Sequence, residues 1–253
     1  IIFLRFLSKV IINFFFLDKI KIFSNVFQQK LTTFQTIKIK EFYLKFLDGN
    51  ERLNIFYQTQ FFIEKDLTKW ILKMSKKDIF YDIGSNVGMF SCLSDKKKIK
   101  TFSFECMNAN LHNQTYNIKL NKVEKYVSLI PIMLSNKNSL EFLQHRDLTA
   151  GAAKNEIKNK KNIYNRDLKS VLHLKIPSFK LDAIIKSLEL PYPTKVKIDV
   201  DGAELLILMG MTGALKKTNE IMIELDGREQ YVDKCLAESQ KKKESNFENN
   251  NEI

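Results

Sequence analysis

Cysteine and histidine are scarce in this sequence, which contains three of each among 253 residues. The cysteines, Cys92, Cys106 and Cys235, are far apart and odd in number. This argues against a disulfide framework and favours a reducing compartment. No histidine lies at a spacing from a cysteine or another histidine that suits zinc. The sequence therefore predicts neither disulfide bonds nor a metal site.

Arginine is scarce as well, although the chain is strongly basic. Lysine and arginine total 41 against 29 acidic residues, which gives a formal net charge of +12. Such a charge often indicates a nucleic acid or an anionic membrane as partner. Phosphate-binding surfaces favour the two-pronged guanidinium of arginine, however, and here the excess is lysine spread along the chain. We therefore assign the charge to coding bias and solubility, and expect no nucleic acid partner.

No apolar run in the sequence is long enough to cross a membrane. Residues 1–17 are almost entirely apolar, but the charge-free part, 10–17, is far shorter than the roughly 20 residues of a spanning helix. The polar residues recur every three or four positions, which predicts an amphipathic helix. Such a helix either packs on its own domain or lies in a membrane surface. We expect a cytoplasmic protein, with peripheral membrane contact through residues 1–27 as the alternative.

The sequence divides into an N-terminal extension, one α/β domain and a polar tail. The extension covers residues 1–60, and the alternating apolar residues around Asp48-Gly49-Asn50 predict a hairpin within it. The domain covers residues 61–240 and opens with a predicted helix over 64–73. Residues 241–253 are polar, and we expect them to be disordered.

Helix-like and strand-like patterns alternate through the domain. The predicted strands cover residues 78–83, 101–105, 127–134, 195–200 and 220–225. The predicted helices cover residues 111–120, 181–188 and 204–215. This order predicts a mostly parallel sheet with helices on both faces. No strand pattern follows Glu224, and an open sheet edge there would favour self-association.

Residues from about 140 to 180 leave this alternation and are predicted to form an inserted lid. Segments 139–143 and 175–180 could pair as a hairpin, with a long lysine-rich loop between them. Long loops in compact domains commonly carry function. The basic residues of this loop would suit an anionic glycan or a lipid-linked molecule.

A glycine turn follows the first predicted strand of the domain. Gly84 and Gly88 are separated by three residues, and Asp82 precedes Gly84 by two. A dinucleotide site needs the closer G-x-G-x-x-G spacing, and Asp82 would repel a pyrophosphate but suits a ligand with an ammonium and a sulfonium. Glu105, which ends the next strand, can accept both ribose hydroxyls of an adenosine. Together these residues favour S-adenosylmethionine over NAD, whereas the turn alone is also compatible with a structural role.

Carboxylates recur at two later strand ends. Asp199, Asp201 and Glu204 follow the fourth predicted strand, and Glu224 ends the fifth. Ligands of open α/β sheets bind at this carboxyl edge. Lys197 lies on the same side of its strand as Asp199, so an ion pair between them is conceivable. For Glu204 the alternative role is stabilisation of the first turn of the following helix.

Five motifs in order resemble those of the FkbM family of S-adenosylmethionine-dependent methyltransferases. The family patterns are D-x-G-[AS]-N-x-G, F-E-P-x-P-x-N, L-D, K-I-D-V-E-G-A-E and I-E. The similar segments here are residues 81–88, Phe104-Glu105 with Asn110, Leu181-Asp182, residues 197–204 and Ile223-Glu224. Cys106 and Asn108 replace the two prolines of the pattern, which would loosen the loop beyond the ribose.

The resemblance implies a Rossmann-like methyltransferase fold, although the two strands that usually complete the sheet have no counterpart after Glu224. It also implies that the glycine turn lies near the methionine part of the cofactor, that Glu105 holds the ribose and that Ser135 lies near the adenine. Asn110 would support the loop. The cofactor-binding residues expected on this basis are Asp82, Gly84, Ser85, Asn86, Gly88, Glu105 and Ser135.

The expected reaction is O-methylation of a hydroxyl on a sugar, a glycan or a secondary metabolite by in-line displacement. Such a hydroxyl must lose its proton, so we expect Asp199 to act as general base or orienting group, with Glu204 and Glu224 shaping the pocket. Two alternatives stay open: an RNA ribose methyltransferase, suggested by the charge, and a non-catalytic membrane-associated protein with a degenerate methyltransferase fold. The intact cofactor residues argue against the second alternative.

Overall fold

The computed structural model describes residues 33–145, 147–151, 156–157 and 172–224. The predicted N-terminal amphipathic helix, most of the lid loop and the polar tail lie outside these residues. The strands are β1 (Phe34–Ile39), β2 (Phe42–Leu47), β3 (Ile79–Ile83), β4 (Lys100–Phe104), β5 (Val127–Ile130), β6 (Met133–Leu134), β7 (Ser139–His145), β8 (Glu156–Ile157), β9 (Leu172–Phe179), β10 (Lys195–Ile198) and β11 (Glu220–Ile223). The helices are α1 (Glu51–Ile63), α2 (Lys65–Lys73), α3 (Met89–Asp95), α4 (Asn108–Asn121), α5 (Leu181–Ser187), α6 (Glu204–Gly210) and α7 (Thr212–Leu215). Within the described ranges, none of these helices has the length and apolar content to span a bilayer.

Five strands form a parallel sheet in the order β11, β10, β3, β4, β5. In its register, Asp82 on β3 lies beside Lys197 on β10 and Ser103 on β4. Because all five strands run in the same direction, their carboxyl ends meet at one edge of the sheet. The predicted α/β fold with a mostly parallel sheet is confirmed.

Side chains that alternate along β3 enter two separate apolar cores. Phe80 packs with residues of α1, α2 and α3 on one face of the sheet, whereas Tyr81 and Ile83 pack with residues of α5, α6 and α7 on the other. The first core contains an aromatic pair, in which the rings of Phe46 and Tyr57 stack with 4.9 Å between their centroids. Helices thus cover both faces, as the sequence predicts.

The predicted N-terminal hairpin forms, but its turn is elsewhere. β1 and β2 pair antiparallel and turn at Lys40 and Glu41. The prediction of a turn at Asp48-Gly49-Asn50 is wrong, because the Asn50 side chain there accepts a hydrogen bond from the amide of Leu53 (2.9 Å) and begins α1. Asparagine is a favoured residue at this position, since its side-chain oxygen satisfies an amide of the first helical turn. The sequence pattern did not predict α1, whereas α2 closely matches the predicted helix.

The lid region contributes to a second sheet, in the order β6, β9, β7, β8. The predicted pairing of 139–143 with 175–180 is confirmed by the antiparallel ladder between β7 and β9. The prediction of one strand over residues 127–134 is wrong, because the chain forms two strands there, separated at Pro131. They are β5 in the central sheet and β6 beside β9. Proline has no N–H to donate to a strand neighbour, so it interrupts the ladder at this point.

The predicted helix 204–215 is also divided, into α6 and α7. The carboxylate of Asp182 on α5 accepts hydrogen bonds from the amides of Gly213 (2.7 Å) and Ala214 (2.8 Å). A carboxylate that accepts bonds from first-turn amides stabilises a new helix start there. Asp182, one of the motif residues, therefore has a structural role in joining α5 to α7.

Asparagines on α4 attach the N-terminal hairpin to the domain. Asn117 is buried, and its Oδ1 accepts a hydrogen bond from the amide of Leu47 (2.7 Å) while its Nδ2 donates to the carbonyl of Val87 (2.8 Å). One turn later, Asn121 bonds to both the amide and the carbonyl of Lys45. β2 therefore docks through hydrogen bonds between its backbone and side chains of the helix.

Replacing Asn117 with alanine should lower the free energy of unfolding by about 2–3 kcal/mol, because the buried carbonyl of Val87 and the partly buried amide of Leu47 lose their partners. Urea unfolding followed by circular dichroism measures this change. Thr115→Ala, on the exposed side of the same helix, is the matched control and should cost no more than about 0.5 kcal/mol. Equal losses for the two variants would contradict the role of Asn117 in docking the hairpin.

Candidate functional site

A cavity of about 380 Å³ opens at the carboxyl edge of the central sheet. Its lining comes from the chain after β3, β4, β10 and β11, from β6 and from the junction of α1 and α2. Among the residues that the structure describes, its basic lining residue is Lys197, and its acidic ones are Glu64, Glu105, Asp199, Asp201 and Glu224. The volume lies in the range of cavities that hold cofactors and other small molecules.

The glycine turn after β3 passes very close to the chain after β10. Gly84 has a φ of +73°, and a Cβ at this position would lie 1.8 Å from the carbonyl oxygen of Asp199. The amides of Gly84 (3.0 Å) and Ser85 (3.1 Å) donate to the carbonyl of Phe104, and the turn ends at Gly88, where α3 begins. Glycine at position 84 is therefore required by the close approach that brings Asp199 to the cavity.

Glu105 is fixed by hydrogen bonds at the end of β4. Its Oε1 accepts from the amides of Cys106 (2.7 Å) and Met107 (2.8 Å), and its Oε2 accepts from Nδ2 of Asn110 at 3.3 Å. Asn110 in turn accepts from the amide of Gly151 in the lid region (2.9 Å). Burial raises the pKa of the Glu105 carboxyl despite these bonds. The backbone amide of Asn86 also stabilises the ionised carboxyl. Because each carboxylate oxygen can accept two hydrogen bonds, Oε2 can still accept one from a ligand.

The ammonium of Lys197 is buried among acceptors from two neighbouring strand ends. Its Nζ lies 3.3 Å from Oδ1 of Asp82 and 3.1 Å from Oδ2 of Asp199, and it donates to the carbonyl of Gly84 at 3.0 Å. Burial alone would lower the pKa of Lys197, but the charges of Asp199 and Asp82 outweigh it and raise this pKa. Asp82 is itself fully buried, and its other oxygen, Oδ2, accepts a hydrogen bond from Oγ of Ser91 (2.5 Å). The ion pair considered between Lys197 and Asp199 is therefore present.

Asp199 and Glu224 form a hydrogen-bonded pair of carboxyl groups at the mouth of the cavity. Burial opposes the ionisation of Asp199, yet the charge of Lys197 and the hydrogen bond from Glu224 lower its pKa. The hydrogen bond with Asp199 and the negative charge of that residue raise the pKa of Glu224 to about 8. The two pKa values are therefore shifted in opposite directions, as is expected for two neighbouring carboxyl groups that share a proton.

Residues 82–247 match the family described as Methyltransferase FkbM domain. The chain belongs to this family. The match covers every motif on which the resemblance was based except Tyr81, and it begins after the N-terminal hairpin and the α1–α2 region.

Individual relatives of the chain have low sequence identity to it. The hexuronic acid methyltransferase AglP of Haloferax volcanii is 26% identical over 166 residues, which are 64% of this chain and 62% of that relative. The chain thus spans less than two thirds of the length of this curated relative. The crystal structure of methyltransferase FkbM from Methylobacillus flagellatus KT is similar at 15% identity and a TM-score of 0.42, covering 60% of this chain and 33% of that one. A precorrin-6y C5,15-methyltransferase from Geobacter metallireducens GS-15 also has 15% identity and a TM-score of 0.42, covering 70% of each chain.

Most of the predicted site residues of this FkbM-family chain line the cavity. They are Gly84, Ser85, Asn86, Glu105, Asp199 and Glu224. Four others lie outside the lining: Asp82 beneath Lys197, Gly88 at the start of α3, Ser135 and Glu204. Direct roles of these four residues in binding or catalysis stay predictions.

Ser135 and Glu204 both make close contacts within the protein. Ser135 is fully buried, and its carbonyl oxygen lies so close to Gly210 that a Cβ there would approach it to 2.1 Å, whereas its Oγ has no hydrogen-bond partner among the described residues. Its neighbours Met133 and Leu134 line the cavity instead. Oε1 of Glu204 accepts a hydrogen bond from the amide of Gly202 (2.7 Å) just before α6. This bond favours the helix-start role over a role in the pocket.

The sequence patterns missed the part of the lining that comes from the α1–α2 region. Phe56, Gln60 and Glu64 line the cavity although they precede every recognised motif. Of these residues, only Glu64 had a feature visible in the sequence, as an acidic residue at the start of a predicted helix. Nothing in the local sequence indicates that this helix junction faces the sheet edge, because that contact depends on the packing of α1 against α3 and α4.

The lining fits S-adenosylmethionine in the groups that it offers. This cofactor carries an ammonium and two ribose hydroxyls, which are hydrogen-bond donors, a positively charged sulfonium and a carboxylate, so its net charge is +1. The cavity presents acceptors, including Oε2 of Glu105 and Oδ1 of Asn86, a buried oxygen that lacks a hydrogen-bond partner within the described ranges. A buried acceptor without a partner costs free energy that a donor from a ligand removes. Glu105 and Asn86 could therefore hold such a cofactor.

Replacing Lys197 with methionine should lower the free energy of unfolding by about 3–5 kcal/mol, because Asp82 would be left buried without its counter-ion. Guanidinium unfolding measures the loss. Lys195→Met is a matched control on the same strand, where the lysine pairs with the exposed carboxylate of Glu220, and it should cost at most about 1 kcal/mol. Similar losses for the two lysines would show that the Lys197 contacts do not organise this edge.

Proposed function

We propose that this chain is an S-adenosylmethionine-dependent O-methyltransferase that acts on a hydroxyl of a sugar. The observation that carries the proposal is the carboxylate of Asp199, which lines the cavity 3.1 Å from Nζ of the buried Lys197, because a carboxylate placed there can accept the proton that a hydroxyl loses. Glu224 and Glu105 line the same cavity. Membership of the FkbM family supports methyl transfer as the reaction.

On the cofactor side, the residues bind and orient. Glu105 Oε2 accepts a hydrogen bond from a ribose hydroxyl, and Asn86 Oδ1 accepts from a second donor of the ligand. When bound, S-adenosylmethionine supplies a methyl group attached to a positively charged sulfur. The excess of carboxyl groups in the described lining favours such a cationic ligand over a neutral one.

On the acceptor side, Asp199 orients the hydroxyl and takes its proton. The side chain is 31% exposed, so an acceptor can reach it from the mouth of the cavity. A hydroxyl becomes strongly acidic only as its oxygen bonds to carbon, and a carboxylate of low pKa is basic enough at that stage. Glu224 keeps its own proton and the hydrogen bond to Asp199. Lys197 retains Asp82 as counter-ion once Asp199 is neutral, so no buried charge is left unpaired.

A sugar is the proposed acceptor because the relative from Haloferax volcanii is named a hexuronic acid methyltransferase. The chain spans 62% of that relative, so the proposal extends to a sugar hydroxyl and no further. A sugar presents several hydroxyls at once, which suits a cavity whose polar groups are mainly hydrogen-bond acceptors.

S-adenosylhomocysteine should bind to the folded protein with one-to-one stoichiometry in isothermal titration calorimetry. Glu105→Gln should weaken this binding by about tenfold to a hundredfold, because the amide replaces an ionised acceptor of the ribose hydroxyls. Glu124→Gln, an exposed acid on the loop after α4, is the matched control and should leave the affinity unchanged. Absence of binding by a folded sample would refute the proposed cofactor, and equal affinities of the two variants would refute the role of Glu105.

A further inference from the structure

The junction of α1 and α2 forms one wall of the cavity. Phe56, Gln60, Ile63 and Glu64 all line it, and all four precede residue 82, where the family match begins. Phe56, Gln60 and Glu64 are spaced four residues apart, so they lie on one face at the end of α1. Glu64 directly follows the last residue of α1 and is also the N-cap residue of α2. The bend between the helices therefore presents a short stripe of side chains to the cavity.

The stripe combines an apolar ring with two hydrogen-bonding groups. Phe56 is partly buried and packs at the edge of the first core. Nε2 of Gln60 donates a hydrogen bond to Oε1 of Glu64, which holds the two side chains together. The second amide hydrogen of Gln60 can then donate to a ligand, and the second carboxylate oxygen of Glu64 can accept from one. Neighbouring hydroxyls on a sugar ring can donate and accept hydrogen bonds, and the apolar face of the sugar ring can pack on Phe56.

The stripe lies near the carboxyl pair at the mouth of the cavity. Burial raises the pKa of Glu64, Lys197 opposes this shift, and the negative charge of Asp199 adds to it. Charges influence each other in this way only at short range. The hydrogen bonds of Glu105, in contrast, go to its own strand-end loop and to Asn110. The α1–α2 wall and Asp199 line the same cavity, so an acceptor whose hydroxyl lies at Asp199 can contact the wall.

The charge of this region disfavours an acidic acceptor. The described lining has five carboxyl groups and one ammonium, and that ammonium already has Asp82 and Asp199 as ion-pair partners. A carboxylate on the ligand would add to negative charges that burial already penalises. An uncharged acceptor avoids this repulsion and can still use the hydrogen bonds.

We propose that Gln60 and Glu64 are specificity-determining residues that bind an uncharged polyhydroxyl ring, with the apolar face of the ring against Phe56. This inference rests on the proposed function and adds the class of acceptor. A neutral sugar fits the wall, whereas the acidic sugar in the name of the relative from Haloferax volcanii does not.

The test compares two probes that differ by one charge, 4-nitrophenyl β-glucoside and 4-nitrophenyl β-glucuronide. Binding of each probe to the full chain saturated with S-adenosylhomocysteine is measured by saturation-transfer NMR. The wild-type protein should bind the glucoside at least about fivefold more tightly than the glucuronide. Gln60→Ala should weaken glucoside binding about threefold to tenfold, through the loss of one hydrogen bond. Gln58→Ala, an exposed glutamine on the same helix that does not line the cavity, should leave it unchanged.

A second variant separates recognition from a merely structural role. Glu64→Gln keeps the shape of the side chain but removes its charge, so it should reduce the preference for the glucoside over the glucuronide. Four results would overturn the proposal. The wild-type protein could bind the glucuronide as tightly as the glucoside or more tightly, or it could bind neither probe. Glucoside binding could be unchanged by Gln60→Ala, or the preference for the glucoside could be unchanged by Glu64→Gln. The affinity for S-adenosylhomocysteine is measured in each sample, so failure of the cofactor assignment is seen separately from failure of the acceptor wall.

Discussion

The buried ammonium of Lys197 is the interaction on which the site depends. It joins Asp82 on β3 to Asp199 after β10, and it also bonds to the carbonyl of Gly84 in the glycine turn. Without this cation, the carboxyl group of Asp82 would have no counter-ion in a fully buried position. The same cation holds Asp199 in its charged form, and this charge in turn keeps the proton on Glu224. One lysine thus sets the protonation of both carboxyl groups at the edge of the sheet.

Both the family motifs and the N-terminal region that precedes them line the cavity. Asn117 holds β2 to α4, and Arg52 on α1 pairs with Asp147 in the lid region at 2.5 Å. Asn110 connects Glu105 on the cofactor side to Gly151 in the same lid segment. The cofactor side, the base of the lid and α1 are therefore linked by direct hydrogen bonds, which places the α1–α2 wall opposite a fixed sheet edge.

The sequence was sufficient for the parallel sheet and for the residues at its strand ends, because alternating patterns and turn residues are local signals. Pro131 and Asp182 show where local signals failed: one breaks a strand by lacking a donor, and the other starts a helix from a different element. The place of Ser135 near the adenine, which the family resemblance implies, stays a prediction, and the backbone of this residue packs on Gly210. The contribution of Glu64 depends on how α1 packs, which no local pattern of the sequence contains.

The protonation of the Asp199–Glu224 pair is the central claim, and carbon-13 NMR of the side-chain carboxyl carbons tests it most directly. Following both resonances across a pH titration gives the two midpoints without any knowledge of the acceptor. The account predicts a midpoint near pH 8 for Glu224 and an Asp199 carboxyl that stays ionised to a pH below its ordinary pKa. If both groups titrate at the ordinary values of exposed carboxyl groups, they share no proton and the account is contradicted.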